Sequence, residues 1–123
     1  METMDKYKDY AYVVFRVLIG ILFFLHGTQK LLGWFGGSAA GLASLLWWAG
    51  LIELVAGIAL VLGLFTRWVA AISAVEMAVA YVMVHASQGL NPLLNKGELA
   101  LLYLVAFLVL ATRGAGKWGL QKD

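Results

Sequence analysis

Few residues in this 123-residue chain could do chemistry, and most of them interrupt apolar runs. Arg16, His26, Gln29 and Lys30 fall in the first run, Tyr10 to Leu32. Glu53 and Glu76 stand in two later runs, His85 and Glu98 lie near segment ends, and Tyr81 and Tyr103 lie within segments. At helical spacing Arg16, Gly20, Phe23, Gly27 and Lys30 share one stripe, with His26 beside it. Two cations and an imidazole on one side of a membrane helix are costly in hydrocarbon unless carboxylates meet them. The later runs supply those carboxylates.

With about 1.5 Å of rise per residue, Arg16 and Glu76 lie roughly 9 and 13 Å from the inner helix ends, whereas Glu53 and His26 lie roughly 18 and 24 Å up. Depth therefore pairs Arg16 with Glu76 as a buried ion pair, which could do no more than fix helix packing. It also groups Glu53 with His26 and Lys30, and Gln29, Glu98 and His85 lie near enough to the outer mouth to join them. An imidazole or ammonium can donate to one carbonyl oxygen of a quinone, a tyrosine or glutamine to the other, and a glutamate can exchange protons. Buried carboxylates would equally serve a small proton-coupled exporter of aromatic or cationic compounds, although such exporters place a glutamate in the first helix, where this chain has Arg16. Metal is disfavoured, since no helix carries His-x-x-x-His or Glu-x-x-His spacing. Tyr81, Tyr103 and His85 are secondary candidates; the two hydroxyls should find partners inside the bundle.

Four elements must position these groups. Apolar periodicity and length give spanning helices at about 10–32, 45–64, 68–87 and 97–112, in one all-α membrane domain over residues 1–123. The glycine-rich stretch 33–41 breaks the first helix from the second, and Phe65–Thr66–Arg67 forms a short turn. Asn95 with Glu98 matches a capping box at the fourth helix. Gly50 and Gly57 flank Glu53, and Ala70, Ala74 and Ala78 form a small-residue stripe. Such faces invite close helix packing or a scaffolding role for other membrane proteins.

The composition, 63% hydrophobic and 13% charged, is that of a multi-pass cell-membrane protein. Lys6, Lys8, Arg67, Arg113, Lys117 and Lys122 fall at one set of helix ends and only Lys30 and Lys96 at the other, so both termini should be cytoplasmic. The same bias accounts for the net charge of +2 without nucleic acid as a partner. With no cysteine, thiolate metal sites and iron–sulfur ligation are excluded, and no flavin or haem motif is present. The first segment is too long and interrupted for a signal-peptide core and is expected to be retained.

The chain resembles the DoxX family of membrane proteins in FRVLIGILFFLHGTQKLLGWFGG (Phe15–Gly37), GLIELVAGIALVLGLFTR (Gly50–Arg67) and NKGELALLYLVAFLVLATRGAGKWGL (Asn95–Leu120). The resemblance implies a four-helix integral membrane protein linked to quinone or quinol, as an accessory subunit or anchor of a respiratory or detoxifying oxidoreductase. Carried over by position, its polar residues are Arg16, His26, Gln29, Lys30, Glu53 and Glu98. It further implies a redox partner protein or a homo-oligomer in the bilayer, with quinone or a small aromatic molecule as ligand and electrons supplied from outside the chain.

Overall fold

The computed structural model describes residues 2–122, and all of its regular structure there is helical, with no strands. Four longer helices carry the architecture: α1 (Lys8–Leu32), α2 (Leu45–Leu62), α3 (Thr66–Ala80) and α4 (Glu98–Arg113). α3 continues without a break through a π-helical turn, Tyr81–His85, and a 3-10 turn, Ala86–Gln88. Single helical turns occur at Glu2–Asp5 and Pro92–Asn95. Three stretches, Lys8–Leu32, Leu45–Leu62 and Thr66–Gln88, are long and apolar enough to cross a membrane.

The boundaries have local causes. α1 stops at Gly33, whose φ of 73° favours glycine and whose N–H returns to the Gln29 carbonyl at 3.1 Å. The following loop folds back, with the Ala40 N–H on the Lys30 carbonyl at 2.8 Å. Ser44 caps α2 by accepting from the Trp47 N–H at 3.1 Å, and Gly63 ends it. The expected capping box at α4 does not form. Gly97 is the N-cap and Glu98 is exposed, while Asn95 is buried and tied to other groups. The turn at Pro92–Asn95 is capped instead by Asn91, which accepts from the Leu93 N–H at 3.0 Å.

The helices pack as two pairs, α1 on α2 and α3 on α4. Glycines set the first pair. A β-carbon on Gly57 would stand 2.6 Å from the Phe24 nitrogen, and one on Gly27 would stand 2.5 Å from the Leu54 nitrogen. Lipid tails give apolar side chains little reason to leave them, so such close backbone approach is what draws membrane helices together. α3 buries Ala70, Ala74 and Met77 towards the core. The small-residue faces that suggested a scaffold are thus occupied by the chain's own helices. Phe23, Tyr103 and Phe107 join the pairs, with Phe23 edge-on to Phe107 at 4.7 Å between centroids.

At the end of the bundle where α1 starts and α4 finishes, the tail after Arg113 folds back over the helix ends. The Leu120 N–H meets the Leu62 carbonyl at 3.0 Å and the Gln121 N–H meets the Gly63 carbonyl at 3.1 Å. Arg16 fastens this tail. Its Nε donates to the Leu60 carbonyl at 3.0 Å, and its Nη1 donates to the carbonyls of Ala115 and Lys117. The expected Arg16–Glu76 pair is therefore corrected. Arg16 lies on the face of α1 that meets α2 and the tail, whereas Glu76 lies on α3 beside Glu53. Similar depth did not bring them to the same side.

Candidate functional site

Glu53 stands in the middle of α2, 1% exposed, where the flanking Gly50 and Gly57 bring α1 close. Lys30, in the last turn of α1, reaches it with Nζ 2.7 Å from Oε1. The pair spans the α1–α2 seam and joins the ammonium to one carboxylate oxygen. From α3, Glu76 lies beside the Glu53 carboxyl, and its Oε1 is buried with no hydrogen-bond partner among the described residues. One ammonium thus faces two carboxyl groups. His26, one turn before Lys30, is half-buried, and its ring meets Tyr103 of α4 edge-on, 5.6 Å between centroids and 87° between planes.

These five groups line a cavity of about 690 Å³. Apart from His85 and Lys96, the remaining walls are apolar, from Phe23, Ile52, Met77, Ala80, Leu99 and their neighbours. Leu45, Leu46 and Trp48 on α2, Val79 on α3, and Met83 and Val84 on the π-helical turn after it also line it and are exposed on the outer surface. The cavity therefore opens sideways between α2 and the end of α3, on a surface apolar enough to face lipid. A slot of this volume and lining suits a flat organic ring held at one polar end.

The structure thus brings together His26, Lys30, Glu53, Glu76 and Tyr103. His85 and Lys96 also line the cavity, His85 with Nδ1 3.0 Å from the Asn95 carbonyl oxygen. Gln29 and Glu98 are not in the cavity lining. Gln29 turns to the loop, its Nε2 3.4 Å from the Phe35 carbonyl and its side chain against Gly37. Glu98 is exposed at the start of α4. Tyr81 bonds outside the helical core, donating to the Leu90 carbonyl at 3.3 Å and accepting from Asn95 Nδ2 at 3.1 Å. Among the described residues no group of three His, Cys, Asp or Glu could hold a metal ion.

Two features escaped the sequence. Asn95 is wholly buried: Nδ2 also donates to the Gly89 carbonyl at 2.9 Å, and Oδ1 accepts from the Gly97 N–H at 2.8 Å. It ties the π-helical turn, the loop and the start of α4 into one roof beside the cavity. The apolar wall of Met77 and Ala80 carries no motif at all; only Ala80, one turn after Glu76, shares that carboxylate's face.

Three helices long and apolar enough to cross a membrane, with a polar cluster in a cavity open at the side, describe an all-helical membrane protein. A DoxX family model matches residues 11–86, which include His26, Lys30, Glu53 and Glu76. An uncharacterized protein of Haemophilus influenzae (strain ATCC 51907 / DSM 11121 / KW20 / Rd) is 42% identical over 128 residues, 98% of this chain and 96% of the relative. A second uncharacterized protein of that strain is 38% identical over 69 residues, 56% of this chain and 46% of the relative. No solved structure matches the chain. The chain belongs to the DoxX family.

Proposed function

We propose that this chain is a quinone-binding membrane subunit of an oxidoreductase, crossing the cell membrane four times with both termini cytoplasmic. The observation that carries the reading is a mostly apolar cavity open at the side of the bundle, with His26, Lys30, Glu53, Glu76 and Tyr103 in its lining and, apart from His85 and Lys96, apolar side chains elsewhere. A membrane quinone is apolar over most of its length and polar at two ring oxygens, which matches this division. His26 or Lys30 donates to one ring oxygen and the Tyr103 hydroxyl to the other. The Glu53–Glu76 pair, with one ammonium for two carboxyls, can hold a proton and release it. Reduction of one quinone takes two electrons and two protons; with no cysteine and no flavin or haem motif in the sequence, a partner redox protein supplies the electrons in this reading.

The topology is supported by the basic residues. Lys8, Arg67, Arg113 and Lys117 lie at the end of the bundle where the tail packs, and Lys30 and Lys96 at the other. α4, at 16 residues, extends roughly 24 Å, with the turn at Pro92–Asn95 before it and the returning tail after it. The proton-coupled exporter is the second reading, favoured by the same carboxyl pair in an open cavity. Lys30 weighs against it for cationic cargo, because the ammonium repels a cation from the carboxylates.

The test is purification in nanodiscs, with mass spectrometry of every co-purifying protein and organic-extractable molecule. Bound quinone or a redox partner, with quinone lost in His26→Ala and Glu53→Gln, supports the proposal. A homo-oligomer carrying neither, but moving aromatic cations with protons in proteoliposomes, overturns it in favour of export.

A further inference from the structure

The opposite end of the bundle holds a second cavity, of about 600 Å³, between the start of α1, the end of α4 and the returning tail. Lys8, Asp9, Tyr12, Phe15, Arg113 and Lys117 line it. Three cations face one carboxylate. Lys117 Nζ lies 3.1 Å from Asp9 Oδ2, which accounts for one cation; Lys8 and Arg113 have no ion-pair or hydrogen-bond partner among the described residues. The mouth is thus left with a surplus of two positive charges.

The walls of this cavity are fixed. The Tyr12 hydroxyl donates to the Gly114 carbonyl at 2.5 Å, Arg16 holds the carbonyls of Ala115 and Lys117, and Tyr10 stacks on Trp118 with centroids 5.2 Å apart. Phe15 and Val109 continue the cavity as an apolar wall towards the membrane-spanning part of α1 and α4. A basic mouth above an apolar track, beside stacked aromatic rings of the kind that sit at membrane interfaces, asks for a ligand that is anionic at one end and hydrocarbon at the other.

We propose that this cavity binds the phosphodiester headgroup of an acidic phospholipid, with Arg113 and Lys8 on the phosphate oxygens and an acyl chain along Phe15 and Val109. The planar guanidinium suits two phosphate oxygens at once, and Lys8 adds a point charge. A free anion would gain nothing from the apolar wall. A zwitterionic lipid would bring its own cation to an already cationic mouth.

The test is native mass spectrometry of the full chain released from nanodiscs of equal phosphatidylglycerol and phosphatidylcholine, with inorganic phosphate added in a parallel sample. Retention of phosphatidylglycerol over phosphatidylcholine is expected, falling by roughly tenfold or more in Lys8→Gln/Arg113→Gln. Lys122→Gln, which removes an exposed charge outside the cavity, is expected to keep the preference. Monodisperse behaviour and unchanged helicity of the double variant confirm that it folds. Equal retention of the two lipids overturns the proposal, as does an equal loss in Lys122→Gln, which would mean general charge attraction. Displacement of the lipid by inorganic phosphate overturns it in favour of a free-anion site.

Discussion

Lys30 and Glu53 meet across the α1–α2 seam with Nζ 2.7 Å from Oε1, the carboxylate side chain 2% exposed and the ammonium side chain 24%. The pair closes the polar end of the larger cavity and fixes how α1 sits on α2. Breaking either half leaves the other charge without its partner, whereas replacing both by apolar groups removes the charges together. Lys30→Met should therefore cost about 2 kcal/mol of stability. The double variant Lys30→Met/Glu53→Leu should recover most of that loss. Reversible unfolding in mixed micelles measures both, and simple additivity of the single effects would contradict the pairing.

Close glycine contact is the second element of the seam. Gly57→Ala should destabilise the chain by about 1–3 kcal/mol, because the new methyl meets the Phe24 backbone nitrogen at 2.6 Å. Gly41→Ala is the control, since nothing lies within 4 Å of its β position. Its effect should stay within about 0.5 kcal/mol in the same unfolding assay.

Arg16 predicts a local effect rather than a global one. Arg16→Met removes the donor to the Leu60, Ala115 and Lys117 carbonyls. Trypsin cleavage after Lys117 should then speed by roughly tenfold or more while helical circular dichroism is kept. Arg16→Lys should not restore protection, because one ammonium cannot reach carbonyls on both α2 and the tail. Unchanged cleavage in Arg16→Met would remove Arg16 from this role.

Asn95 should act on the other end of the molecule. Asn95→Ala orphans the Gly97 N–H and the Gly89 carbonyl, at a cost of about 1–3 kcal/mol if they stay buried. Amides across 89–97 should exchange faster with deuterium, while those of α1 and α2 stay protected. Equal exchange in the variant and the parent would show that the roof holds without Asn95.

The membrane helices were legible because hydropathy and length alone mark a span, and Arg16, Gly20, Phe23 and Gly27 were legible as one buried stripe because helical phase puts them there. Depth groups His26, Lys30 and Glu53, and the structure places all three in the lining of one cavity. Depth failed for Arg16 and Glu76, since it says how far along the membrane a group lies and nothing about which way around the bundle it faces. From sequence Asn95 shows only as a cap and the tail only as a basic end, for a related reason. Their partners, Tyr81, Gly89, Leu62 and Gly63, are backbone groups or distant residues, and backbone acceptors leave no trace in side-chain pattern. Gln29 and Glu98 were grouped with the site by closeness to the outer mouth, and the turn of each helix sends them elsewhere.

The most direct test of quinone binding is photolabelling of the full chain in nanodiscs with a short-chain azidoquinone, followed by peptide mapping. Label should concentrate on Trp48, Met77, Met83 and Tyr103, which line the larger cavity, and excess unlabelled quinone should suppress it. Label spread evenly over the lipid-facing sides of α1 and α4, with no competition by unlabelled quinone, would contradict it.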